Sequence, residues 1–187
     1  MTKIMTAHTV LNLCQEYHVR VREQWIPVHT QASYMEGTSA NLRANEEVLL
    51  YDLLYGLLLP SGNDAGIALA QFFGKFLSFK LTKEQSNEKY NPNIEEFNEV
   101  TNFYDNNYQK ESIKLFVFMM NRYAHKLGLE STHFDNPTGL SNKNNYSSAK
   151  DMAILTNILL KSNLLRQIVR KKYHKCEVRN EKLGYCR

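Results

Sequence analysis

Long apolar runs are missing from this 187-residue chain. No stretch approaches the roughly 20 apolar residues that a membrane-spanning helix needs, which excludes one. Cysteine is scarce, and three residues cannot form a disulfide framework. An excess of one charge sign is also missing. Lys and Arg number 23 against 19 Asp and Glu, so the net charge is only +4. That balance is too weak to propose nucleic-acid binding without a motif. The histidines, His8, His18, His29, His125, His133 and His174, show no His-x-His or His-Glu-x-x-His spacing, which argues against a metal site. Gly-rich phosphate loops are absent, and Met1-Thr2-Lys3 runs directly into a helical pattern without the small-residue cleavage site of a secretory signal. What is present, 43% apolar and 22% charged residues, fits one globular domain with a packed core.

Residues 4–17 carry a helical period, with Ile4, Ala7, Leu11 and Cys14 on one face, and Cys14 reads as a buried apolar residue. His18-Val19-Arg20-Val21-Arg22 alternates and predicts a short strand, which Pro27 limits to an edge. Residues 31–45 read as an exposed loop. Residues 46–59 read as one helix capped by Asn45, with Glu46 and Glu47 at its positive end and a broad leucine face, stopped by Pro60. A second helix begins at about Asp64, with Gly74 as its terminator. Seven of the 21 residues from Asn87 to Asn107 are asparagine, so 75–111 reads as a solvated low-complexity insertion. Residues 112–127 are helical again and end at Gly128. After a loop from Glu130 to Ser147, Ser148-Ala149-Lys150-Asp151 resembles a capping box, opening a helix that breaks at Ser162-Asn163. Residues 172–179 alternate, with His174, Cys176 and Val178 on one side of a strand that needs a sheet partner. Cys176 and Cys186 could pair or stay free.

Two short elements carry candidate chemistry. Ser61-Gly62-Asn63 lies in a turn between two apolar helices, which projects a hydroxyl and an amide from a rigid support. Taken alone it reads as an interhelical turn with Asn63 as the next cap, and only its context points to a site. Lys3 stands in the first turn of a helix, where the dipole disfavours a cation. That field and burial lower a lysine pKa, and a neutral amine can serve as a general base. In isolation Lys3 reads as a solvated lysine at a frayed end.

A third block runs Leu127-Gly128-Leu129-Glu130-Ser131-Thr132-His133-Phe134-Asp135-Asn136-Pro137-Thr138-Gly139-Leu140, followed by Tyr146-Ser147-Ser148-Ala149-Lys150-Asp151-Met152-Ala153. With Thr2 to Leu13 and Leu53 to Phe73, it resembles the serine D-alanyl-D-alanine carboxypeptidases, the low-molecular-mass penicillin-binding proteins of peptidase family S11. The resemblance covers roughly two thirds of the chain, in several blocks in the correct order. It implies an α+β fold of the β-lactamase/DD-peptidase type, an antiparallel sheet with helices on both faces, of which this chain holds mostly the helical part. In that family Ser-x-x-Lys, Ser-x-Asn and Lys-Thr-Gly line one cleft. By resemblance Lys3 is the lysine of the first motif, taking the proton from the nucleophile. Ser61 would bridge Lys3 to the leaving amine, and Asn63 would hydrogen-bond a substrate amide. Lys3, Ser61 and Asn63 are therefore expected to converge. The partner implied is a peptide ending in D-Ala-D-Ala, or a β-lactam, with no metal or organic cofactor.

The departures are as specific as the matches. Counted back from Lys3, the serine of Ser-x-x-Lys falls just before Met1, and no Lys-Thr-Gly occurs before Arg187. The expectation is a chain cut at both ends and inactive by itself, from a family that is typically extracytoplasmic. Two other readings stay open. One is a β-lactamase of the same fold, although class A enzymes carry Asp in the middle of the second motif, where this chain has Gly62. The other is a non-catalytic peptide-binding protein that retains the scaffold.

Overall fold

A computed structural model describes residues 1–85, 106–180 and 185–186. The chain order is α1 (Thr2–Glu16), β1 (Trp25–Pro27), α2 (Thr30–Ser33), β2 (Glu47–Leu49), α3 (Leu50–Leu58) and α4 (Asn63–Gln85). Then come α5 (Asn106–Lys126), α6 (Ala149–Leu159), α7 (Asn163–Val169), β3 (Val178–Asn180) and β4 (Tyr185–Cys186). No helix among the described residues is long and apolar enough to cross a membrane.

Helix α4 is the axis. Ala65, Ala68, Leu69, Phe73 and Phe76 are all buried, and the helix is covered by α1, α2, α3 and most extensively by α5. A helix apolar on so many sides belongs at the centre of a domain. Phe116 and Met120 of α5, Met5 and Leu13 of α1, and Leu54 and Leu57 of α3 close the same core. The strands form one antiparallel sheet in the order β1-β2-β3-β4, with Ile26 opposite Val48 and Val48 opposite Val178. These apolar residues face the core together, as the two-residue period of a sheet requires.

Several local expectations change in three dimensions. Residues 46–59 are not one helix: Glu47–Leu49 is a strand between β1 and β3, and the helix starts at Leu50 without a side-chain cap. Asn45 lies in a left-handed turn at φ 65° instead of capping. The leucine run suits either period, and the ladder partners decide. β2 is also the partner that β3 requires. Residues 18–22 form a turn, with His18 at φ 55° and both Glu23 and Gln24 donating backbone N–H groups to Arg20 O. The strand follows at Trp25, where Pro27 ends it on β1, which pairs only with β2 among the described residues. Between 172 and 179 only Val178 and Arg179 are ladder residues, although the alternation upstream holds, since His174 and Cys176 both reach Asp52 of α3.

Gly74 does not terminate α4. A Cβ built there would lie 1.8 Å from the Ser112 carbonyl oxygen, so the missing side chain is what lets α4 and α5 cross backbone to backbone. The helices accordingly reach into the segment expected to be an insertion, through Gln85 on one side and from Asn106 on the other. The remainder of that segment, 86–105, lies outside the described residues.

Residues 31–45, read as an exposed loop, begin inside α2 and bury Ala32 and Leu42 in the core. Other signals hold. Gly128 ends α5 at φ 71°, and Ser148 caps α6 by accepting from the Asp151 N–H at 3.1 Å. Ser162 caps α7 in the same way. Cys14 and Cys176 are free thiols. Burial pushes Cys14 up to about 12, and burial with the nearby Asp52 carboxylate pushes Cys176 up to about 11.

Candidate active site

Lys3 stands in the first turn of α1, whose start has no side-chain cap. Its ammonium donates to Asn63 Oδ1 at 2.8 Å and to Thr138 O at 2.7 Å. These bonds span 60 and 135 residues of sequence and tie together the heads of α1 and α4 and the loop after α5. Desolvation lowers the Lys3 pKa, and the Asp64 carboxylate pulls it part of the way back.

Asn63 opens α4 and is buried. Its amide is used on both sides: Oδ1 accepts from Lys3, and Nδ2 donates to Glu36 O at 2.7 Å. Its backbone N–H donates to Thr38 O at 2.7 Å. Asparagine in this setting is held in a single orientation, because exchanging its O and N would break both side-chain bonds.

Ser61 is exposed and adopts a left-handed conformation, φ 60°. Its carbonyl accepts from the Thr38 hydroxyl. The two Lys3 bonds go to Asn63 and Thr138, and a bond to the Ser61 hydroxyl is not among them. Gly62 is compulsory at the centre of this turn: a Cβ would sit 2.6 Å from Asp64 Oδ1, 2.7 Å from Gly56 O and 2.9 Å from Ala40 N. The turn is further closed by Gly62 N–H donating to Gly56 O at 3.0 Å.

Four supporting residues escaped sequence reasoning. Asp64, buried beside Asn63, accepts from the Ser39 hydroxyl at 2.6 Å and from the backbone N–H groups of Ala40, Leu42 and its own neighbour Ala65. It thereby pins the 38–42 loop that flanks Ser61. Thr138 contributes only its carbonyl, which no side-chain pattern can announce. Asn136 shapes that loop: its Oδ1 accepts from the N–H groups of Thr138 at 3.2 Å and Gly139 at 2.7 Å. Thr6 then docks the loop on α1 by donating to Pro137 O at 2.7 Å. His133, by contrast, takes no part: its backbone pairs with Tyr146 and its ring stacks on the Tyr146 ring.

The arrangement brings a partly desolvated amine and a fixed amide together at the junction of three segments, with the exposed Ser61 two residues before the amide. Desolvation makes an amine give up its proton more readily than an ordinary lysine and so favours its use as a base, and a rigid amide can orient a peptide group.

The sequence profile of the D-alanyl-D-alanine carboxypeptidase family, peptidase S11, matches residues 1–79 and 107–186. D-alanyl-D-alanine carboxypeptidase DacF of Bacillus subtilis is 31% identical over 161 residues, covering 86% of this chain and 32% of its own length. The D-alanyl-D-alanine carboxypeptidase of Streptomyces sp. strain K15 is 29% identical over 177 residues, covering 91% of this chain and 48% of its own. The crystal structure of the Streptomyces K15 DD-transpeptidase superposes with a TM-score of 0.75 at 28% identity, covering 100% of this chain and 59% of that one. The chain thus spans about a third to a half of the length of these curated relatives.

Proposed function

Because this chain belongs to the D-alanyl-D-alanine carboxypeptidase family, we propose that it supplies the helical side of a serine-type acyl-transfer site for peptides ending in D-alanyl-D-alanine. The observation that carries this reading is the Lys3 Nζ to Asn63 Oδ1 hydrogen bond of 2.8 Å, which joins residues of the first and second motifs across 60 positions.

In this reading Lys3 is the general base and Asn63 holds a substrate amide. The family's Ser-x-x-Lys pattern would put the nucleophilic serine three residues before Lys3, one helical turn away and on the same helical face as the lysine. Its Oγ bonds to the penultimate D-alanine carbonyl carbon while its proton passes to Lys3. Ser61 then relays that proton to the departing D-alanine amine as the C–N bond breaks, and water hydrolyses the resulting ester. The lowering of the Lys3 pKa by desolvation suits the first step, and the exposure of Ser61 suits the second. A Lys-Thr-Gly strand would supply carboxylate and oxyanion contacts. The packing around Gly62 favours this over the class A β-lactamase reading, since the Asp those enzymes carry there would collide with Gly56 O and Ala40 N.

Fluorescent penicillin labelling, followed by intact mass, tests the proposal. The 187-residue polypeptide is expected to form no covalent adduct. A polypeptide extended by Ser before Met1 and by a Lys-Thr-Gly strand after Arg187 is expected to label, and Lys3→Ala in it to slow labelling by ~10²–10⁴-fold. Labelling of the 187 residues themselves would move the nucleophile to Ser61 or elsewhere. Labelling of the extended chain that ignores Lys3→Ala would remove Lys3 from the chemistry.

A further inference from the structure

Asp52 occupies the first turn of α3, and His174 and Cys176 come from the extended segment leading into β3. Their ligand-type atoms all lie within 4.8 Å of one another, the one such trio of His, Cys, Asp or Glu groups among the described residues. His174 Nε2 and Asp52 Oδ1 are 2.6 Å apart, and the Cys176 thiol faces Asp52 O at 3.8 Å. Histidine spacing in the sequence gave no hint of this, because two of the donors are two residues apart and the third is more than 120 residues away.

We propose that this trio is a site for a single Zn²⁺, bound by Asp52 carboxylate, His174 imidazole and Cys176 thiolate, with a fourth position open to water.

The donor chemistry selects the ion. One soft thiolate, one imidazole and one carboxylate form a mixed set that suits Zn²⁺, whereas Mg²⁺ and Ca²⁺ prefer all-oxygen shells. The charges close as well, since carboxylate and thiolate together carry −2. Ligand atoms about 2.0–2.3 Å from a shared tetrahedral ion stand roughly 3.3–3.6 Å apart. Separations already within 4.8 Å therefore need only small side-chain adjustments. Binding breaks the Asp52–His174 hydrogen bond and releases the Cys176 proton to solvent, with no change in oxidation state.

Both ends of the trio are held from outside. Asp52 Oδ2 accepts from the Glu177 N–H at 2.8 Å, leaving Oδ1 to the site. The His174 ring lies flat on Tyr55, with centroids 3.6 Å apart, and is met edge-on by Tyr51. Supports of this kind fix ligand orientation in metal centres. Access is open: cavities of about 370 and 380 Å³ adjoin the trio, the first lined by all three donors and the second by His174 and Cys176. Lys175 in the wall of the first and Lys172 in the wall of the second are nearby cations that the incoming ion must tolerate.

Co²⁺, a spectroscopically visible substitute for Zn²⁺, provides the test on the reduced 187-residue chain. Expected are one equivalent bound, a thiolate-to-cobalt absorption band in the near ultraviolet, and loss of that band on adding Zn²⁺. Cys176→Ser should abolish the band, and His174→Gln should weaken Co²⁺ binding at least about tenfold. Cys186→Ser and Cys14→Ala should leave both unchanged. Far-ultraviolet circular dichroism verifies that each variant is folded. If Cys176→Ser fails to fold, His174→Gln decides the matter through its affinity and through loss of the Zn²⁺-induced rise in thermal midpoint. A folded wild-type chain without the band, a band that survives Cys176→Ser, or His174→Gln binding unchanged would each overturn the assignment.

Discussion

Replacing Gly74 by alanine sets two effects of opposite sign against each other. In an ordinary helix interior the change stabilises by about 1 kcal/mol, because alanine loses less backbone entropy and has the better propensity. Here the new Cβ would lie 1.8 Å from Ser112 O and 2.4 Å from Ser112 C, both backbone atoms that cannot rotate away. Carbon rests against a neighbour at about 3.5 Å, so the α4–α5 crossing must open by roughly 1.7 Å. A gap of even 0.5–1 Å forfeits about a quarter to a half of each dispersion contact across it. Phe73, Phe116 and Met120 are fully buried at or near this crossing and would lose packing together. Overpacking of this kind costs ~1–3 kcal/mol and sometimes more, and the severity of the overlap places Gly74→Ala at or above the top of that range. After the propensity gain a net loss of about 2–3 kcal/mol remains, a fall of roughly 5–10 °C in Tm for a domain of this size. Gly66→Ala is the internal control. It lies in the same helix, but its new Cβ would be 3.3 Å from Pro137 O and 3.4 Å from the Leu57 and Thr138 side chains, contacts that small shifts relieve. Its effect should stay within about 1 kcal/mol of zero. Urea and thermal unfolding followed by circular dichroism measure both. A Gly74→Ala chain as stable as the parent would show that the two backbones do not meet there.

The remaining expectations concern the site and its supports. Asp64→Ala strands the Ala40 and Leu42 N–H groups and the Ser39 hydroxyl, and should cost about 3 kcal/mol in urea unfolding, since bonds to a charged acceptor count for ~1.5–3 kcal/mol each but do not add fully. The Thr132 hydroxyl first, with the Ser131 N–H, holds the Asp151 carboxyl below the usual carboxylate range, against the opposing effect of burial. That contribution is fully present above the unfolded carboxylate value of about 3.9 and is lost as pH falls through the lower folded value, so Asp151→Asn should flatten the acid limb of stability against pH. In the extended, label-competent polypeptide, penicillin labelling should rise as Lys3 deprotonates, with a midpoint below the ordinary lysine value of about 10.4 because desolvation disfavours the cation. A midpoint at or above that value would count against Lys3 as the base.

The sequence discloses elements whose signals are local. Ser148 and Ser162 mark helix starts because a hydroxyl needs only a nearby N–H, and both do cap. Gly128 marks an end because φ 71° is a property of its own residue. What failed was settled by distant partners. Glu47–Leu49 becomes a strand because Trp25–Pro27 and Val178–Arg179 lie on either side of it, and nothing within 46–59 records that. Gly74 resembles a terminator until Ser112 is seen against it. The site divides in the same way. Lys3 and Asn63 could be named from motif types, and they do meet, whereas Glu36, Thr38 and Thr138 hold them through carbonyls that every residue possesses.

That reliance on backbone carbonyls explains why position 63 needs an amide. The side chain faces an ammonium on one side and the Glu36 carbonyl on the other, so it must accept and donate at once. Aspartate would match the size and the Lys3 contact, but it would set a carboxylate oxygen against the Glu36 carbonyl with no proton between them. It would also add a second negative charge beside Asp64, whose field already raises the Lys3 pKa. Both changes favour the protonated lysine and oppose the proton acceptance that the proposed reaction asks of it. A neutral residue that fixes Lys3 without charging it, with the anion one position further on at Asp64 and spent on backbone N–H groups, leaves desolvation as the dominant influence on the amine.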